Sequence, residues 1–202
     1  MDISNYIWSI PALIIAIVGH EIGHGYVSYL LGDETAKRDG RLSINPLDHI
    51  DPIGLLFMIV FRFGWAKAVP INPSYYKNRK TGTILVSLAG VTVNFIFALI
   101  GAFFFVWTSK HDFVISNFFL NFLWYNAMLG VFNLVPLPPL DGSKVLASVL
   151  PAKAEYNFYR YEKYFYWILF LGVVSGIIPR IIGPAVQGLI DLFVNLGIVI
   201  LS

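Results

Sequence analysis

The chain has 202 residues, 57% of them hydrophobic and only 13% charged, with a net charge of +2 and a mean hydropathy of +0.69. Soluble domains carry about 25% charged residues, so this composition describes an integral membrane protein, and the modest net charge gives no reason to expect nucleic acid. There is no cysteine, which excludes disulfides, thiolate metal sites and cysteine nucleophiles.

An apolar run over residues 7–31 is long enough to cross a membrane. With no basic segment or A-x-A site it reads as a retained helix, expected over residues 5–31 and ending near Gly32-Asp33, with Pro11 placed to kink it. Within it stand His20, Glu21, Ile22, Gly23 and His24. Two imidazoles four residues apart share one helix face and together can hold a Zn²⁺ ion. Glu21 is offset to the side, where it can act on a water as a general base without being a ligand. A surface turn would be the ordinary explanation in a soluble protein. In lipid such groups are costly, and an ionisable cluster marks a functional site. Gly19 and Gly23 form a G-x-x-x-G beside the histidines, and Gly25 follows, which lets another helix approach closely.

Residues 33–80 differ. Pro46, Pro52, Pro70 and Pro73, with alternating stretches at 41–44 and 68–71, suggest short strands and turns. The apolar stretch 53–61 is too short to cross and is expected to dip into the membrane. Further spans are expected over residues 82–107 and 117–137, then a polar connection at 143–163, then spans at 164–178 and 181–201. The fold class is therefore a mostly α membrane protein, a bundle of about five transmembrane helices. A small strand-containing, membrane-associated region separates the first two. All of residues 1–202 form one domain, with a core at about 6–150 and two additional C-terminal helices at about 164–201.

Lys and Arg orient the bundle. Eight of the fourteen lie between residues 37 and 80, and four more, Lys144, Lys153, Arg160 and Lys163, follow the third span. Lys110 and Arg180 occupy the other two connections. Five spans then place the N-terminus outside, the C-terminus in the cytoplasm, and His20, about 21 Å along its helix, in the cytoplasmic part of the bilayer.

A catalytic zinc usually takes three protein ligands and keeps an open position. His49 and His111 lie in loops; Asp141, Glu155 and Glu162 are the acidic alternatives. Asp141 is favoured because Pro136, Pro138 and Pro139 break the third span just before it, at the level of His20 and His24. Gly142 permits a tight turn after it. Its plain alternative is a helix N-cap.

The two motifs together, His20-Glu21-Ile22-Gly23-His24 and Asn133-x-x-Pro136-x-x-Pro139-Leu140-Asp141-Gly142, resemble those of the site-2 protease family of intramembrane zinc metalloproteases. Gly90-Val91-Thr92-Val93-Asn94 is similar to that family's G-P-x-x-N element, with Val91 in place of proline. Residues 64–73 look like a segment of compact bacterial and archaeal members, without PDZ or CBS domains. The resemblance covers about residues 15–145. It implies His20, His24 and Asp141 as zinc ligands and Glu21 as catalytic base. Asn94 and Asn133 are then candidates for holding the substrate carbonyl or oxyanion, or for simple helix–helix hydrogen bonding. It implies transmembrane protein substrates, in the cell membrane of a bacterium or archaeon. A membrane zincin acting on soluble peptides, or a non-proteolytic metal-binding or transport protein, are the rival readings.

Overall fold

The computed structural model describes residues 3–54 and 66–201, and they are mostly helical. Helix α1 (Ile3–Leu30) runs on through Pro11. It ends where Gly32 takes a left-handed φ of 99°. The N–H groups of Gly32 and Asp33 then reach the carbonyls of Tyr29 and Ser28 at 3.0 and 3.1 Å. That bond pair is a Schellman end, and it needs a residue without a Cβ at Gly32.

The connection that follows holds a four-residue helix α2 (Thr35–Arg38) and two 3-10 turns, Pro46–Asp48 and Pro73–Tyr75. The strands expected at 41–44 and 68–71 are not there. Among the described residues the one β feature is an isolated antiparallel bridge between Ile50 and Ala66. The physical reason is visible in the N–H groups. Val69 donates to Glu21 Oε2 and Asn72 to Asp33 Oδ2, so side chains of α1 and of the turn after it take bonds that a partner strand would have taken. Pro70 and Pro73 have no N–H to offer. The expected membrane-dipping stretch, 53–61, lies largely outside the described residues.

Helix α3 (Arg79–Thr108) is capped by Asn78, whose side chain accepts from the Thr81 N–H. Helix α4 (Phe113–Asn133) is capped by Asp112, which accepts from Val114 and Ile115. The connection expected at 143–163 is mostly helical, as α5 (Asp141–Val149) and α6 (Ala152–Arg160). Helices α7 (Glu162–Val174) and α8 (Ile177–Leu201) complete the chain.

Among the described residues four helices are long and apolar enough to cross a membrane: α1 over Trp8–Leu30, α3, α4 and α8. The expected fifth span, 164–178, falls mainly on α7. With 13 residues α7 reaches about 20 Å, short of a hydrocarbon core of about 30 Å. Gly176, at a φ of 75°, breaks the apolar run there. The consequence is a change of direction. Ile178 packs with Leu140 and Leu169, at the end of the bundle where α5 begins. Val186 and Ile190 pack with Ala98, Ala102, Leu123 and Ala127, and Gly197 lies against Val106 of α3. Helix α8 therefore runs parallel to α3, and its C-terminal end lies at the same end of the bundle as the start of α1. The C-terminus is thus opposite to where five spans would have put it.

Small residues hold the helices close, as expected where helices meet in a membrane without a hydrophobic driving force. A Cβ at Gly23 would stand 3.1 Å from the Ala89 carbonyl oxygen, and one at Gly19 would stand 2.5 Å from Phe97. A Cβ at Gly101 would stand 3.0 Å from the Leu123 backbone nitrogen. Antiparallel contacts of α3 with α1 on one side and α4 on the other place the middle of α3 behind the two histidines.

Candidate metal centre

Successive turns of α1 present His20 and His24 toward α3, and the Pro-rich break after α4 brings the first residue of α5, Asp141, against them. His20 Nε2 and His24 Nε2 lie 2.9 Å apart. Asp141 Oδ2 lies 3.1 Å from the first and 3.0 Å from the second. All three residues are buried. Among the described residues they are the one group of three His, Cys, Asp or Glu whose ligand atoms converge. Asp141 opens α5 without capping it: Leu140 is the N-cap, and no side-chain cap bond is made.

The second nitrogen of each ring decides what this convergence can hold. His20 Nδ1 meets the Asn94 Oδ1 at 2.6 Å, and His24 Nδ1 meets the Val86 carbonyl oxygen at 2.7 Å. Both partners are acceptors there, so both Nδ1 atoms carry the proton, and in the neutral rings both Nε2 atoms present lone pairs. Two lone pairs and a carboxylate oxygen pointed at one another, away from water, call for a cation between them. Four ligands around a tetrahedral zinc at about 2.0–2.1 Å stand about 3.3 Å apart, close to the spacings seen. A backbone carbonyl and a carboxamide behind the rings are the usual means of fixing the tautomer of metal-binding histidines. The residues therefore fit a zinc ion.

Gly90 makes the packing possible. A Cβ there would fall 2.6 Å from His24 Nε2 and 2.8 Å from His20 Cε1. Asp141 is held from its other side by Lys144, whose Nζ donates to Oδ1 at 3.0 Å. Gly142 is needed for close approach, not for a turn: it is helical, and a Cβ would run into the Leu134 carbonyl.

Glu21 sits beside the cluster, tied by the Val69 N–H to its Oε2 at 2.9 Å. Val69 belongs to an extended strap, residues 66–72, fastened at several points. The Lys67 N–H donates to the His49 carbonyl at 2.9 Å, and Arg41 Nη2 donates to the Lys67 carbonyl at 2.7 Å. The Asn72 N–H donates to Asp33 Oδ2 at 2.7 Å. Asp33 also accepts from the Ser28 hydroxyl and from the Thr35 amide and hydroxyl. Burial pushes the Asp33 carboxyl up, but these donors outweigh it and hold it below the usual carboxylate range. Under the strap a cavity of about 270 Å³ opens next to His24, walled by Val69, Ile71, Tyr76, Ser87 and Lys144.

Of the other residues singled out from sequence, Asn94 stands directly behind the cluster and the rest fall elsewhere. Asn94 is fully buried, its Oδ1 on His20 and its Nδ2 on the Ala16 carbonyl and on Asn126 Oδ1. Asn133 donates to the Leu129 carbonyl of its own helix at 3.0 Å. His49 bonds the Ser43 carbonyl, and Glu155 lies 3.8 Å from Lys80. Sequence reasoning missed Asn126, Lys144, the Val86 carbonyl and the strap N–H on Glu21. Lys144 was findable, since i and i+3 on a helix are neighbours.

The family model described as peptidase family M50 matches residues 108–176, a stretch that contains Asp141. Over 180 residues the chain is 34% identical to YwhC of Bacillus subtilis (strain 168), which bears the name of a zinc metalloprotease; the match covers 85% of this chain and 82% of that protein. Rip2 of Mycolicibacterium smegmatis, similarly named, is 32% identical over 159 residues, 74% of this chain and 60% of the relative. Zinc metalloprotease MJ0392 of Methanocaldococcus jannaschii is 27% identical over 146 residues, 71% of this chain and 34% of the relative. The chain thus spans less than two thirds of the latter two. No solved structure matches it.

Proposed function

As a member of peptidase family M50, the site-2 protease family to which its likeness to YwhC assigns it, this chain is a zinc metalloprotease of the membrane, and we propose that it is an endopeptidase cutting peptide bonds in or near the transmembrane segments of substrate proteins. The observation that carries this reading is the buried His20–His24–Asp141 cluster, whose two histidines stand on a helix apolar enough to span a membrane.

In this reading His20, His24 and Asp141 hold the zinc. When bound, zinc supplies Lewis-acid polarisation and lowers the pKa of water. Glu21, steadied at Oε2 by Val69, accepts a proton from the attacking water and delivers it to the leaving amine. Asn94, its polar atoms engaged, acts through His20 by fixing the ring's tautomer. Asn133, at the end of α4, remains the candidate for holding the substrate carbonyl. A substrate helix has its backbone bonds satisfied, so it must unwind before it is cut. The extended strap beside Glu21 is where the unwound stretch would lie.

Orientation follows from charge. Among the described residues, twelve of the thirteen Lys and Arg, all but Lys110, lie in segments at the end of the bundle where α1 finishes and α8 begins. By the positive-inside rule that end is cytoplasmic. The site then opens to the cytoplasm of a bacterial or archaeal cell.

The test is a single-span reporter reconstituted with the protein in liposomes, with and without chelator. Wild type should cut it toward the cytoplasmic side, and Glu21→Gln should not, while keeping about one zinc per chain. Cleavage of soluble peptides alone would favour a different substrate class. Zinc flux without cleavage would favour transport, and cuts clustered in the outer half would reverse the orientation.

A further inference from the structure

Helix α8 buries Val186, Ile190 and Gly197 against its neighbours. On its opposite side Gln187, Asp191 and Asn195 recur every fourth residue, and all three are exposed. On a soluble helix this would be a solvated face. On a helix that spans a membrane it faces hydrocarbon, where an amide or carboxylate without a partner is costly. Gln187 Nε2 donates to Asp191 Oδ1 at 2.8 Å, which answers part of the demand. The Asn195 carboxamide has no partner among the described residues. Gly188, on the same face, looks onto open space. The steps from Pro184 to Gly188, Asp191, Asn195 and Ile198 alternate four and three residues. That is the seam of a left-handed helix pair.

We propose that this face joins two copies of the chain, α8 against α8. Two copies in one membrane share a topology, so their α8 helices run parallel and each residue meets its own counterpart at equal depth. A carboxamide is both donor and acceptor, so Asn195 complements Asn195 across the two-fold axis, as a single core asparagine does when it sets the register of a coiled coil. Gly188 lets the backbones come close. Each Gln187 keeps one N–H for the facing copy. The two Asp191 side chains meet at one depth, each held by the Gln187 Nε2 of its own chain. Asp191 alone would take a cation from a different protein, but the two carboxamides that flank it, Gln187 and Asn195, find matched donors and acceptors in a second copy of the same face.

The absence of cysteine makes the test clean. Single-cysteine variants are reconstituted at low protein-to-lipid ratio and oxidised. Gly188→Cys and Ile198→Cys should form covalent dimers. Leu196→Cys and Ile96→Cys, which are 43% and 50% exposed, should not. In the Gly188→Cys background, replacing both Gln187 and Asn195 with Leu should lower dimer yield on the order of tenfold, with bound zinc unchanged to show an intact fold. Equal cross-linking at the control positions, or a chain that stays monomeric at every position, overturns the proposal. So does α8 cross-linking to another membrane protein but not to itself in native membranes.

Discussion

Replacing Gly90 with alanine puts one methyl group where the two imidazoles converge. The new Cβ would lie 2.6 Å from His24 Nε2, 2.7 Å from its Cε1 and 2.8 Å from His20 Cε1. Bringing the shortest of these to ordinary contact, at 3.4 Å, needs a retreat of about 0.8 Å, where metal–ligand distances tolerate about 0.2 Å. The rings have little room to give it, because Asn94 and Val86 hold their far nitrogens. Overpacking costs about 1–3 kcal/mol in stability, and disturbing ring orientation costs about 10–100-fold in metal affinity. Gly23→Ala is the control. It crowds the same α1–α3 contact, at Ala89 and Val93, without touching either ring. Zinc affinity by chelator competition, read beside thermal unfolding, separates the two. Gly90→Ala should lose metal affinity well beyond its loss of stability, and Gly23→Ala should lose stability alone. Equal zinc affinity in the two variants would refute the idea that the α3 backbone bounds the metal site.

Asp141→Ala should lower both zinc content and activity, because two imidazoles leave the site short of a ligand; full zinc occupancy, measured by elemental analysis, would move the third ligand elsewhere. Gly142→Ala meets backbone rather than a movable side chain, at Leu134 and Val135, and should cost about 3 kcal/mol of stability; denaturant unfolding that matches wild type would contradict the packing. Asp33 gives a pH signature. Its carboxyl is held below the usual range when folded, so its stabilisation is fully present above the unfolded value of about 3.9 and is lost as pH falls below it toward the folded value. Hydrogen-exchange protection of the Asn72 amide should therefore weaken below about pH 4 in wild type, and Asp33→Asn should show no such step.

What was legible in the sequence was what a single element determines. The two histidines share a face because a helix repeats every 3.6 residues, whatever packs against it. Asp141 could be placed because a Pro-rich break ends α4 at a countable depth. What failed depended on how one backbone meets another. Alternation at 68–71 looked like a strand, and the chain there is extended, yet its N–H groups serve Glu21 and Asp33 instead of a neighbouring strand. Hydropathy made residues 164–178 a span, but hydropathy is blind to the break at Gly176, which leaves 13 residues of helix.

The shell around the metal site was invisible for the same reason. No pattern in α1 says that His24 will sit at the Val86 carbonyl, or that Gly90 will be the residue behind both rings. Those pairings follow from the offset of two antiparallel helices, which Gly19 and Gly23 make possible but do not specify. Once the offset is known, the polar groups at the site account for one another. Asn126 serves Asn94, Asn94 serves His20, and Lys144 serves Asp141. A membrane interior rewards that closure, because a group left over finds no water. Among the described residues the stripe on α8 does not close within one chain: Gln187 answers Asp191, and Asn195 is left over. The same logic that makes the histidine cluster complete with a cation makes α8 complete with a second helix.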